Sequence, residues 1–414
     1  MTKSDDSFPV KVDTLLCAFG RNTEEQFGFL NPPLYKGSTV IHKTVKSLEN
    51  HEGRFYYGIA GSPTIANLEE AWTKLTEAAG TVISPSGHGS IALAIMSVIS
   101  AGCHILVPEN VFQPTSVFCD TFLKRFAVEV EYYDPLIGSG IDKLIKDNTA
   151  AIYMESPGSN TMEIQDVPAI VQIARRNRVK TIIDNTWATP LFFKPHSFGV
   201  DFSIEAGTKY VGGHSDILLG LVTANEENWP TLKNTYNCFG MLPGAEDCHL
   251  ALRSLRTFRL RVREAERKAL KLAKWLQKRD EVDKVLHPAL EECPGHSYWV
   301  RDFQGSTGVF SIILKPKYSK ASLEYMLEDM MIFSLGYSWG GYESLIVPLS
   351  EEVGERLKAR NHYGYGLRLQ IGLEDTEDLR KDLVLGFERL GAFEFDLPNG
   401  IMDLRCATLG HGRS

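Results

Sequence analysis

Between residues 63 and 255, short apolar runs alternate with helical stretches, and this alternation limits the fold more than any single residue does. The runs are Thr81-Val-Ile-Ser, His104-Ile-Leu-Val, Val128-Glu-Val-Glu-Tyr, Ala151-Ile-Tyr-Met-Glu, Lys180-Thr-Ile-Ile-Asp and Phe202-Ser-Ile. Strands separated by helices predict an α/β fold with a mostly parallel sheet covered on both faces. Ligands of such sheets collect at strand ends, where loops turn over the edge. The candidate functional residues of this part of the chain lie at those ends.

The first candidate is Lys209, in Asp201-Phe-Ser-Ile-Glu-Ala-Gly-Thr-Lys209-Tyr-Val-Gly-Gly-His-Ser-Asp216. Ala206, Gly207, Gly212 and Gly213 leave little bulk around it, so backbone or ligand can approach closely. A lysine held out of water loses its charge more readily and becomes available as base and nucleophile. Asp184 ends another apolar strand, and a carboxylate there is costly to bury unless a cation meets it. The stretch Ser84-Pro-Ser-Gly-His-Gly-Ser90 leads into an apolar helix. A strand, a Gly/Ser loop and a helix start together make a candidate anion site, by virtue of free N–H groups and the positive end of the helix dipole. It is neither a Walker A loop nor a GxGxxG fingerprint. Phe112 follows a strand and can stack on a flat ligand. Towards the C-terminus, Tyr365-Gly-Leu-Arg368-Leu alternates as a strand and carries one arginine, the side chain suited to gripping a carboxylate. Ordinary roles stay open for each: a loop lysine, a turn-capping aspartate, a capped helix start, a core phenylalanine, a salt-bridged arginine.

Composition narrows the setting. The 414 residues are 43% hydrophobic and 23% charged, ordinary for a globular chain with room for two or three domains. A net charge of −8 argues against a dedicated nucleic-acid surface. The run Arg253 to Arg263 is expected to be the charged face of a long helix over about 246–277. Seven cysteines without CxxC pairs, and an N-terminus without a secretory pattern, predict reduced thiols and a cytoplasmic protein. No apolar run reaches the ~20 residues that span a bilayer, so no membrane is expected. The eleven histidines lack HExxH spacing, so no metal is expected.

The lysine segment Ser-x-x-x-x-Thr-Lys-Tyr-x-x-Gly-His-Ser-Asp resembles the Schiff-base segment of the Cys/Met-metabolism family of pyridoxal-phosphate (PLP) enzymes. The string Phe333-Ser-Leu-Gly-Tyr337-Ser338-Trp339-Gly-Gly-Tyr342-Glu343-Ser344 is similar to one found in its bacterial cystathionine β-lyase branch. The resemblance covers about residues 10 to 392. It implies the aspartate-aminotransferase-like architecture called fold type I, with a smaller C-terminal α+β domain. The implied division is an N-terminal arm at 1–62 contacting a neighbouring subunit, a PLP-binding domain at 63–255, a C-terminal domain at 256–393 and a tail at 394–414. The arm's helix-facing end leads into a helix expected over about 66–79.

Carried over by motif, Lys209 holds PLP and moves protons, and Asp184 meets the pyridine nitrogen. Ser86, Gly87, His88 and Thr208 hold the phosphate, Phe112 stacks where the family has tyrosine, and Ser159 sits near the 3′-hydroxyl. Tyr57 is implied as a catalytic and phosphate-binding residue reaching across a dimer. Arg368, Ser338, Trp339 and Tyr337 are implied to bind substrate. One departure is plain: Ile59 stands where the family's Tyr-x-Arg motif has arginine. The implied activity is β-elimination of cystathionine to homocysteine, pyruvate and ammonia by a homotetramer. Related alternatives are γ-lyase or cysteine desulfhydrase activity at the same site, or a degenerate family member kept for binding or regulation.

Overall fold

The computed structural model describes residues 10–392, so the tail expected at 394–414 lies outside the described residues. Seven strands form the first sheet: β1 (Gly80–Ser84), β2 (His104–Pro108), β3 (Glu129–Tyr133), β4 (Thr149–Glu155), β5 (Lys180–Asp184), β6 (Phe202–Glu205) and β7 (Gly220–Ala224). Their order is β1-β7-β6-β5-β4-β2-β3. Strands β3, β2, β4, β5 and β6 pair in parallel, while β7 runs antiparallel to both β1 and β6. The sequence pattern misses β7 because the 206–219 loop, not a helix, leads into it. An antiparallel strand needs no crossover helix.

Alternation along the strands explains the two covered faces. Ile105, Val107, Tyr153, Ile182, Phe202 and Ile204 pack with Ile91, Leu93 and Ile95 of the helix Gly87–Met96. On the opposite face, Leu106, Ile152, Met154 and Ile183 meet Val167, Ile170, Val171 and Ala174 of the helix Val167–Asn177. Each fully buried aliphatic side chain contributes about 1.5–3 kcal/mol. This packing fixes where β4, β5 and β6 end, and so where Glu155, Asp184 and the Lys209 loop emerge.

A second sheet comprises β8 (Val282–Leu286), β9 (Val309–Leu314), β10 (Ser334–Leu335), β11 (Leu345–Pro348) and β12 (Gly366–Gln370), in the order β10-β11-β12-β9-β8. Apart from the short parallel pair β10–β11, its strands are antiparallel. The helix Phe258–Leu276 and the helix Thr376–Ala392 close its core through Leu272, Leu276, Leu383 and Phe387.

Three expectations need correction. The single helix over 246–277 is two, Ala245–Ser254 and Phe258–Leu276, separated by a tight turn at Leu255–Thr257. In that turn Arg256 donates to the carbonyl of Leu16 at 2.7 Å and to that of Phe19, and the Ser254 hydroxyl donates to the carbonyl of Gly212. The arginine run is therefore not one solvent face. Arg261 ties down the Tyr210 carbonyl at 2.9 Å, while Arg259 and Arg263 form ion pairs with Asp13 and Glu266. Second, the arm expected to contact a neighbouring subunit also packs on its own chain: Leu16 and Phe19, around the helix Val12–Ala18, pack with Leu68, Trp72, Leu252 and Leu255. Third, the helix expected over 66–79 runs Pro63–Thr76. Ser62 caps it, proline occupies its first turn, and Glu77 ends it in the left-handed region. Among the described residues no helix is long and apolar enough to cross a membrane.

Candidate active site

A cavity of about 680 Å³ opens where β4, β5 and β6 end, and the second sheet supplies its far wall. Asp184, at the end of β5, accepts hydrogen bonds from the Thr186 amide at 2.9 Å and the Thr186 hydroxyl at 2.5 Å. Burial raises its pKa, while Thr186 and the nearby Lys209 ammonium oppose the rise. Such a carboxylate is preset for a cation placed against it.

Lys209 leaves the loop after β6 and donates from Nζ to Ser338 Oγ at 3.0 Å. Its ammonium lies 5.4 Å from the Trp339 ring centroid. Burial, and then the charge of Arg368, bring its pKa down to about 8, against the pull of Asp184. Gly340 makes this contact feasible. Its φ is +83°, and a Cβ there would come 2.9 Å from the Tyr210 nitrogen and 3.1 Å from the Lys209 Cα. The 337–340 segment can cross the lysine only because it carries no side chain at that point.

Arg368 on β12 donates from Nη2 to the carbonyls of Tyr337 at 2.5 Å and Ser338 at 3.3 Å. Burial lowers its pKa to about 10, and no carboxylate among the described residues offsets that burial. A half-buried guanidinium that holds two carbonyls and lacks an anion suits a carboxylate ligand. Tyr337, Ser338 and Trp339 line the same cavity.

The anion site forms at the start of the helix Gly87–Met96. Ser86 caps it by accepting from the Gly89 amide at 3.0 Å. A Cβ at Gly87 would lie 2.6 Å from that of Ala206, so the lysine loop presses directly on the first turn. That close approach leaves a cradle of backbone N–H groups beside Lys209. Partial burial lowers the pKa of His88, which keeps it a neutral imidazole at the mouth. Phe112 and Ser159 line the cavity, and the Phe112 amide donates to Glu155 at 2.7 Å. Thr208 also lines it, but its hydroxyl is engaged with Leu219, donating to the carbonyl at 3.2 Å and accepting from the amide at 3.0 Å.

Tyr57 is not among the residues lining this chain's cavity. It is half exposed in a loop bridged to Thr39. Ile59 is also exposed, with its tip near the turn at Gly240. Arg54 is taken by an ion pair with Glu70. The sequence reading missed Glu155 as a site residue, although it is a carboxylate ending an apolar strand, the very signal that singled out Asp184. It also missed Thr186, which lies two residues beyond that aspartate.

A flat cationic ring bearing an anionic group fits these residues: anion cradle, aromatic wall, buried carboxylate and amine occur together in one cavity. The comparisons agree. The chain belongs to the family of Cys/Met metabolism PLP-dependent enzymes, whose model matches residues 13–388. It is 61% identical over 330 residues to a putative cystathionine beta-lyase of Saccharomyces cerevisiae, covering 80% of this chain and 97% of that protein. The cystathionine beta-lyase of Escherichia coli is 37% identical over 390 residues, covering 92% and 99% of the two chains. The same identity links it over 396 residues to an L-alanine/L-glutamate racemase of Wolbachia pipientis, covering 92% and 98%. A crystal structure of cystathionine gamma synthase from Xanthomonas oryzae superposes with a TM-score of 0.86 at 28% identity, covering 93% of this chain and all of that one. The cofactor of the family is PLP, and this chain has the family's fold.

Proposed function

We propose that this chain is a carbon–sulfur lyase that cleaves cystathionine by β-elimination, giving homocysteine, pyruvate and ammonia, in methionine metabolism. The observation that carries the reading is the convergence of Lys209, Asp184, Arg368 and the Ser338-Trp339 pair on one cavity. The β-lyase relatives support it over most of their length.

Bound PLP supplies an electron sink that acidifies the Cα–H of an amino acid joined to it. Ser86, Gly87, His88 and Thr208 would hold its phosphate. Phe112 would cover the ring face, and Ser159 would lie along one edge. Asp184, held by two hydrogen bonds from Thr186, would meet the ring nitrogen and balance its charge. Arg368 binds the substrate α-carboxylate, which fixes the Cα–H towards Lys209. A lysine whose pKa is near 8 is well matched to take that proton and later deliver it to the departing sulfur. Ser338 accepts from the same amine and holds it between the two tasks.

The reading extends to assembly. Phe27, Phe29, Ile41, Val45 and Leu48 are exposed on the arm, an apolar surface suited to a second copy of the chain. In a homotetramer built from such dimers, Tyr57 would complete the neighbouring phosphate site. Residues 63–255 serve as the cofactor-binding domain and 256–393 as the C-terminal one, in a cytoplasmic enzyme with a small amino-acid substrate and no nucleic-acid or membrane partner. The test is the visible absorbance of the purified protein supplied with PLP. Borohydride should abolish the band and fix the cofactor's mass on the Lys209 peptide. A spectrum without such a band, or modification elsewhere, refutes the reading.

A further inference from the structure

Beside Asp184 stands a second carboxyl with no part in the chemistry above. Glu155 ends β4 directly across the ladder from Asp184 on β5. Both side chains emerge on the face that carries Tyr153 and Ile182, at the roughly 4.8 Å spacing of neighbouring strands. Two anions that close oppose each other's ionisation. The partners decide which one yields. Asp184 has an amide, a hydroxyl and the Lys209 ammonium, all favouring its charge. Glu155 is buried and accepts one amide bond, from Phe112 at 2.7 Å. The other groups facing Glu155 are few. Ser159 and the Arg356 guanidinium of the helix Glu351–Ala359 favour its anion. Arg356, however, is bonded to the Glu109 carbonyl. Tyr153, on the same strand, is buried and uncharged.

We propose that Glu155 is a positioning residue: as a neutral acid it anchors the Phe112 backbone at the cavity and leaves Asp184 the sole anion of the floor. Burial first, and Asp184 second, push its pKa up to about 8, consistent with that role. The inference rests on the site reading above, because Phe112 and Asp184 matter here as cofactor neighbours.

Two variants separate the roles of anchor and charge. Glu155→Gln keeps a neutral acceptor for the Phe112 amide, whereas Glu155→Ala removes it. In a titration of cofactor-free protein with PLP at neutral pH, Glu155→Ala should bind roughly tenfold or more weakly, the cost of an unpaired buried N–H, and Glu155→Gln should stay close to wild type. Thermal unfolding of the cofactor-free protein tests the neutrality. A buried acid with a raised pKa gives stability that is complete below the ordinary carboxyl range and is lost as pH climbs to about 8. The wild type should therefore lose more stability between about pH 5 and 8 than Glu155→Gln does. Equal PLP affinity in Glu155→Ala, or identical unfolding profiles in wild type and Glu155→Gln, overturns the proposal. Failure of the wild type itself to take up PLP would instead strike at the site reading, and the unfolding profiles would still decide whether Glu155 is the titrating group.

Discussion

At the cavity floor, Asp184 accepts two hydrogen bonds from Thr186 and Lys209 is bonded to Ser338, so the polar groups are partnered within one chain. On the arm, Ile41 is 85% exposed, and Tyr57 and Ile59 are exposed in a loop bridged to Thr39. The floor spends its burial on shifting pKa values. The arm keeps apolar surface that no described residue of its own chain covers. The contrast teaches that the floor's polar groups are partnered within one chain, whereas the arm's apolar surface suits the second copy proposed above.

The largest expected effect lies on the floor. On the proposed roles, Lys209→Ala removes both the amine that would hold PLP and the proton carrier, so lyase turnover should fall at least ~10²-fold while the fold persists. Near-normal turnover by steady-state assay would end the assignment. Asp184→Asn comes next: the variant replaces a charge-assisted contact worth about 1.5–3 kcal/mol, so PLP affinity should weaken by roughly tenfold to a hundredfold. Unchanged affinity in an equilibrium titration would show that the strand-end carboxylate is only a turn cap.

The arm should answer with a smaller change of opposite sign. Ile59 stands where the resemblance implies an arginine, and on the proposed assembly it would lie toward a neighbouring phosphate that carries nearly two negative charges. Ile59→Arg should tighten PLP by roughly tenfold, provided a neighbouring subunit brings its phosphate within reach. Equal or weaker binding in the variant would mean another cation already fills that space. Smallest is a pH effect. Capture of PLP by cofactor-free protein needs the neutral amine of Lys209, so the uptake rate should rise with pH and level off above about 8. A rate still climbing at about pH 10 would mark an ordinary lysine.

Much of the floor was legible in the sequence because strands end where apolar runs end. Asp184, Lys209 and Phe112 could be singled out by that rule and Arg368 by its place in an alternating strand, and all four line one cavity. What stayed hidden depends on contacts between distant segments. The break at Leu255–Thr257 reflects Arg256 reaching back to Leu16 and Phe19, some 240 residues away, and local helical periodicity is blind to it. The burial of Leu16 against Trp72 and Leu252 has the same origin. Glu155 was passed over since its neighbour across the ladder, not its own segment, makes it unusual. The tie of the Thr208 hydroxyl to Leu219, eleven residues on, is likewise a contact between segments that the local sequence does not display.

The central claim is β-elimination at this site, and identification of the 2-oxo acid formed from cystathionine tests it most directly. PLP-loaded protein should release pyruvate together with homocysteine, and the Lys209→Ala variant should release neither. Formation of 2-oxobutyrate and cysteine by the wild type would contradict the account, because the same cavity would then be cutting the bond on the other side of the sulfur.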